Sequence, residues 1–328
     1  MDDRELKKLV ADTGRVLVEK KLVARTWGNI SARKDATHFA ISPSGMGYDR
    51  ITEEDVPIFN AEDGTYEGPR KPSSEKKIHA AMYEHFPEMN FVIHTHQDYA
   101  TAVGLGDLSE LRFTPEEKEI VGEVKIASYG LPGTKTLKKG VVDALNAGAD
   151  TVLMIHHGVV VAGKDRDDAI LRAEILENAC KRLVDKKIGV IEESEKIGFS
   201  MDRIKEAYPN ARLIDTKEMV ALSKIGTVRP QIDDMAQMVG TKLKCMEPDE
   251  NAVLSVLSKQ DAVLVKGVGC VVKAADREDV NALELLLKKA ALCRLYTEAL
   301  HSDIRLSAFD CALMHFVYKR KYSKKKGA

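Results

Sequence analysis

The sequence predicts an α/β fold in which a mixed sheet carries helices on both faces, followed by a smaller, partial copy of the same architecture. Three observations carry this reading. Amphipathic helices alternate with short strand runs and hairpins along roughly the first 190 residues, the pattern of a sheet covered on both sides. The composition is ordinary for a globular chain, with 328 residues, 44% hydrophobic and 31% charged, enough for one large domain or two smaller ones. Finally, VLMIHHGVVVAGKDRDDA (152–169) and VLVKGVGCVVKAADREDV (263–280) align without a gap at an offset of 111 residues (269 − 158), which marks a partial internal duplication.

Each element follows from local pattern. Leu6, Leu9, Val10, Thr13, Val16 and Leu17 stand at helical spacing in residues 4–20. WGNISAR supplies a Gly-Asn turn, and THFAI is a strand that runs into SPSGMG. DVPIFNAEDGTYEG reads as two strands joined at Asp63-Gly64. In KPSSEKKIHAAMYEHF the residues Pro72, Ser73 and Ser74 open a helix, with Ile78, Ala81, Met82 and His85 on one face. FVIHTH then forms an apolar strand in which His94 and His96, two residues apart, share a face. TKTLKKGVVDALNAG is helical, and DTVLMIHHGVVVAG is a buried strand pair broken at Gly158. RDDAILRAEILENACKRLV is a long amphipathic helix striped by Ile170, Ala173, Leu176, Cys180 and Leu183.

In the second half IVGEVKI (120–126) returns as MVGTKLK (238–244) at an offset of 118 (240 − 122), so the copy is seven residues shorter between these landmarks. Val268 stands where the first copy has His157, and neither H-x-H nor S-S-E recurs. The expected organisation is a catalytic domain over 1–220, a degenerate pseudo-domain over 221–318, and a basic, disordered tail over 319–328.

Several classes of function are excluded on composition. A net charge of −1 provides no global field for nucleic acid or an anionic membrane. The five cysteines are far apart and form no C-x-x-C, which suits small apolar residues in a reducing compartment. The acidic, helical start is unlike a signal peptide, and no apolar run approaches membrane-spanning length. A cytoplasmic protein with neither membrane nor nucleic-acid partners is expected.

The chemistry concentrates in a few histidines. His94 and His96 end one strand, His157 ends another before a glycine, and Glu75 sits in a Ser-rich helix start. Three neutral imidazoles with an open position are a usual catalytic zinc site. Strand alternation puts His156 on the face opposite His157, and both faces are apolar, so parity does not choose between them. A dianionic phosphate needs convergent N–H and hydroxyl donors. The turns Gly28-Asn29, Ser44-Gly45 and Ser73-Ser74 offer them.

GNIS, SPSG, SSE…H, HTH and HHG, in this order and at these spacings, resemble the class II aldolase/adducin family, in particular its L-fuculose-phosphate aldolase type, over about residues 1–190. The resemblance implies a three-layer α/β/α domain with a mixed, mainly antiparallel sheet. It also implies a zinc-dependent aldehyde-lyase that cleaves a phosphorylated ketose reversibly to dihydroxyacetone phosphate and an aldehyde. It selects His157 with His94 and His96 as zinc ligands, a set that would also accept another divalent transition metal. By the same resemblance Glu75 is the base, and Gly28, Asn29, Ser44, Gly45, Ser73 and Ser74 hold the substrate phosphate. Tyr129, in the frame Y-x-x-x-G-T, is the proton donor, contributed across a subunit boundary of a homo-oligomer. His156 is then a packing or supporting residue, and His79 a structural one. Related 4-epimerases carry aspartate where this chain has Glu75. Epimerase, dehydratase and decarboxylase chemistry on the same ligands are the alternatives, with a non-catalytic adducin-like interaction protein as the second.

Overall fold

The computed structural model describes residues 1–24, 26–193 and 197–325 and divides into two compact units, Met1–Leu183 and Val184–Ala328. Unit 1 is built on β1 (Asn29–Arg33), β2 (His38–Ile41), β3 (Ile58–Asn60), β4 (Tyr66–Glu67), β5 (Phe91–Thr95), β6 (Val124–Ala127), β7 (Thr151–Met154) and β8 (Gly158–Gly163). They form one sheet in the order β4-β3-β2-β1-β5-β8-β7-β6. Every neighbouring pair is antiparallel except β6–β7, so the sheet is mixed and mainly antiparallel, as expected. The helices are α1 (Asp3–Glu19), α2 (Lys76–His85), α3 (Asp98–Val103), α4 (Pro115–Val121), α5 (Lys135–Asn146) and α6 (Arg166–Ile188).

The three layers follow from strand parity. Val92, Val152, Val160 and Ala162 point into one apolar cluster with Ile78, Met82 and Tyr83 of α2 and Leu137, Val141 and Leu145 of α5. The alternate residues Ile93, Leu153, Val159 and Val161 are fully buried on the other face, where Thr95 bonds Gln97, and Gln97 bonds the Ala173 carbonyl of α6. Burial of such side chains is worth roughly 1.5–3 kcal/mol each and fixes which face each strand residue presents.

Strand β1 is a correction to the sequence reading, which placed only a turn there. Its polar residues Asn29, Ser31 and Arg33 alternate with Ile30 and Ala32. They face α2 rather than water, so only the short Ile30 and Ala32 face of the strand is apolar.

Unit 2 contains α7 (Asp202–Ala207), β9 (Arg212–Ile214), α8 (Lys217–Ile225), α9 (Asp233–Val239), β10 (Cys245–Met246), α10 (Glu250–Leu257), β11 (Ala262–Val265), β12 (Gly269–Val272), α11 (Arg277–Ala299) and α12 (Ala308–Lys325). Its sheet runs β10-β11-β12-β9. The division falls inside α6 rather than near 220, because β9 pairs with β12 and Ile204 of α7 belongs to the unit 2 core. The basic stretch expected as a disordered tail over 319–328 instead continues α12 to Lys325; 326–328 lie outside the described residues.

The repeat is visible as geometry. Asp165 accepts the Asp168 N–H at the start of α6, and Asp276 accepts the Asp279 N–H at the start of α11. Thr95 of β5 and Val159 of β8 are paired as Ile214 of β9 and Cys270 of β12 are. By this register Leu213 occupies the place of His94. No described helix is long and apolar enough to cross a membrane.

Candidate metal centre

β5 places His94 on the α2 side of the sheet, one residue before the strand ends, and His96 follows just beyond it. His157 arrives from the turn between β7 and β8. Met154 and Gly158 close that turn, and His157 N–H donates to the Met154 carbonyl at 2.9 Å. The alternation argument for His156 therefore fails, since residues 155–157 are a three-residue connection and not strand. His156 adopts φ 67° there, a left-handed conformation that costs a non-glycine residue roughly 1–2 kcal/mol. Unit 2 closes its equivalent turn in the same way, with Val268 N–H on Val265 O, and has Gly267 at φ 72° in the position of His156.

The three imidazoles converge. One ring nitrogen from each of His94, His96 and His157 lies within 4.8 Å of the other two, all three residues buried. The Nε2 atoms of His94 and His96 are 3.0 Å apart. His94 Nδ1–H donates to the Val159 carbonyl at 2.8 Å, which leaves its Nε2 lone pair facing the cluster, the arrangement that orients a metal-bound histidine. Burial holds His94 well below the usual histidine range against the pull of Glu75, so it is neutral, as a ligand must be. His96 stacks on Trp27 with ring centroids 6.5 Å apart.

Glu75 is the N-cap residue of α2 and aims its carboxylate into this cluster. Its Oε1 lies 3.1 Å from His157 Nε2 and its Oε2 lies 3.3 Å from His94 Nε2. Burial pushes the carboxyl up, but the adjoining His157 ring and the Asn29 amide hold it well below the usual carboxylate range. Three buried nitrogens of matching chemistry beside an ionised carboxylate fit a divalent transition metal.

Two glycines make the convergence possible. A Cβ at Gly158 would lie 2.3 Å from Thr95 O and 3.1 Å from His94 Cε1. One at Gly28, whose φ is 81°, would lie 2.4 Å from His94 O. Neither site admits a side chain while β5 stays in place.

The proposed phosphate donors come together only in part. Ser44 N–H bonds Lys71 O, and Ser73 N–H bonds Ser42 O, so the SPSG and PSS loops lie side by side with Ser44, Gly45 and Ser74 exposed. Gly133, before the α5 N-cap Thr134, lies against Ser74; a Cβ there would be 3.2 Å from Ser74 Cβ. Ser73 Oγ accepts the Glu75 N–H at 3.2 Å, and Asn29 Nδ2 donates to Glu75 Oε2 at 3.0 Å. The Asn29 side chain is thus engaged by Glu75. Tyr129 packs edge-on against His156 of its own chain, ring centroids 5.2 Å apart. Sequence reasoning missed the contribution of Gly158 and Gly133 and the bond from Asn29 to Glu75. The first two are legible only once the neighbouring strand and loop are in place.

The fold and this cluster define a class II aldolase-type domain. The family model for the class II aldolase and adducin N-terminal domain matches residues 8–184, and the chain belongs to that family. Among curated relatives, an L-fuculose phosphate aldolase of Methanococcus maripaludis is 30% identical over 167 residues, covering 51% of this chain and 89% of that protein. A 3-oxo-tetronate 4-phosphate decarboxylase of Haemophilus influenzae is 31% identical over 186 residues, covering 55% and 88%. The L-ribulose-5-phosphate 4-epimerase UlaF of Salmonella paratyphi C is 31% identical over 196 residues, covering 54% and 83%. A solved L-fuculose 1-phosphate aldolase superposes with a TM-score of 0.52 at 28% identity, covering 62% of this chain and 93% of its own.

Proposed function

We propose that unit 1 is a metal-dependent aldehyde-lyase that cleaves a phosphorylated ketose of the L-fuculose 1-phosphate type, reversibly, to dihydroxyacetone phosphate and an aldehyde. The observation that carries this reading is the buried Glu75 carboxylate, whose two oxygens face two of three clustered imidazoles. A zinc ion held by His94, His96 and His157 would act as a Lewis acid toward the substrate oxygens, worth several kcal/mol. In this reading Glu75 removes the C–H proton of dihydroxyacetone phosphate in the condensation direction. That carbon then bonds the aldehyde carbon, and the aldehyde oxygen takes a proton from Tyr129; cleavage runs these transfers backwards. The exposed Ser44-Gly45 and Ser74 present donors for the phosphate. Tyr129 serving the site of a second copy in a homo-oligomer belongs to the same proposal and is checked by the mass of the protein in solution.

The decarboxylase and epimerase relatives, at similar identity, make product analysis the test. Zinc-loaded protein is given ketose 1-phosphates, 3-oxo-tetronate 4-phosphate and L-ribulose 5-phosphate in parallel. Release of dihydroxyacetone phosphate supports the lyase; CO₂ or an epimer without cleavage replaces it.

A further inference from the structure

We propose that His79 is a positioning residue for Glu75, acting through Asn29, and that Ser31 and Tyr83 fix the polarity of the chain by which it does so. The inference rests on Glu75 as the base in the reading above.

Strand β1 and helix α2 meet along matching periods. Asn29 and Ser31, two apart, share a strand face; Glu75, His79 and Tyr83, four apart, share a helix face. They interdigitate into one hydrogen-bonded chain. Asn29 Nδ2 meets Glu75 Oε2 at 3.0 Å, His79 Nε2 makes a short contact with Asn29 Oδ1, Ser31 Oγ lies 2.6 Å from His79 Nδ1, and Ser31 Oγ lies 2.8 Å from Tyr83 Oη. All five side chains are buried, so each polar group needs a protein partner.

Every proton along it is then determined. The Asn29 amide settles the starting point, with its NH₂ toward Glu75 Oε2 and its carbonyl oxygen toward His79 Nε2. That carbonyl can only accept, so His79 carries its proton on Nε2. Nδ1 is therefore a lone pair, Ser31 donates to it, and the remaining Ser31 lone pair takes the Tyr83 O–H. Burial pushes His79 down to about 3, which keeps the ring neutral and the direction unique.

Reversing any link has a defined consequence. Without the Ser31 hydroxyl, His79 loses the donor that favours a bare Nδ1, and only the Asn29 carbonyl still holds the proton on Nε2. Moving its proton there sets a lone pair against the Asn29 carbonyl. If Asn29 then flips, its oxygen faces the Glu75 carboxylate. Glu75 is pushed off its position, although none of its own contacts has been mutated.

The test measures solvent deuterium exchange into dihydroxyacetone phosphate by zinc-loaded parent, His79→Leu and His79→Gln. In parallel, ¹⁵N spectra of the histidine rings are taken for the parent and Ser31→Ala. Outer-contact residues of this kind cost about 10–100-fold when removed; His79→Leu should lose that in exchange rate, with KM changed less than about threefold. His79→Gln, whose amide can still donate to Asn29 Oδ1, should recover most of the rate. His79 in the parent should show Nε2–H and bare Nδ1 across neutral pH, and Ser31→Ala should shift it toward Nδ1–H. A parental rate in folded His79→Leu, or an Nδ1–H or doubly protonated ring in the parent, overturns the inference. Absence of exchange in the parent overturns Glu75 as base for this substrate, while the ring spectra still decide the chain's polarity.

Discussion

Replacing Gly158 by alanine is the sharpest probe of how the metal centre is assembled. The new Cβ would lie 2.3 Å from the Thr95 carbonyl oxygen, whereas ordinary contact begins at 3.4 Å. Strand β5 or the turn must therefore yield by about 1 Å, against a ligand-distance tolerance of about 0.2 Å at a metal site. Overpacking of this kind costs roughly 1–3 kcal/mol, and displacing the donors should weaken zinc by about 10–100-fold. The chain contains its own control. Gly269 sits in the same place in unit 2, where a Cβ would lie 2.2 Å from Ile214 O. Gly269→Ala should destabilise by more, because Gly269 also adopts φ 141° where Gly158 needs no such backbone, and should leave zinc binding untouched. Competition with a chromophoric chelator gives the affinities, and thermal unfolding gives the stability costs. If Gly158→Ala holds zinc as tightly as the parent, or Gly269→Ala loses it equally, the close approach of β5 and β8 does not set the ligand geometry.

Other outcomes follow from the same geometry. Glu75→Gln should slow turnover by about 10²–10⁴-fold while zinc stays bound, as read by metal content beside initial rates. Zinc at a hundred times its dissociation constant should stabilise the protein by about 2.7 kcal/mol; chelation should reverse this, and His157→Ala should abolish it in calorimetry. Glu177, on α6, accepts the N–H groups of Tyr99 and Ala100 at the start of α3, yet burial pushes its carboxyl up to about 7 from an ordinary 4.5. The folded chain keeps a proton that the unfolded chain releases near pH 4.5. This contribution, on the order of 3 kcal/mol, is full below that pH and lost as pH rises through 7. Urea titrations at pH 5 and pH 8 should show the loss in the parent, and Glu177→Gln should flatten it.

Much of this was legible from the residues. The long helices follow from apolar spacing, and the HTH and HHG motifs point to ligands that the fold does bring together. What escaped reading did so for physical reasons. Strand β1 hides because Asn29, Ser31 and Arg33 meet a helix instead of solvent. His156 defeats parity because its backbone turns left-handed at a position where Gly267 serves in the second unit. Glu-x-x-x-His-x-x-x-Tyr from 75 to 83 is a visible helical face, but its meaning depends on a strand 46 residues upstream of Glu75. The extent of unit 2 was missed because β9, with Leu213 in the place of His94, keeps the pairing and none of the motif.

The contrast between His156 and Gly267 bears on any attempt to restore chemistry to the second unit. Grafting imidazoles onto Leu213, Asp215 and Val268 would not be enough. A Cβ at Gly267 would fall 2.4 Å from Ile197 Cδ1, so hydrocarbon already lies beside the turn that would have to receive a cation's neighbours. The first unit carries a left-handed histidine at this place and the second a glycine with a half-exposed isoleucine leaning on it, so a side chain restored there would also have to displace Ile197.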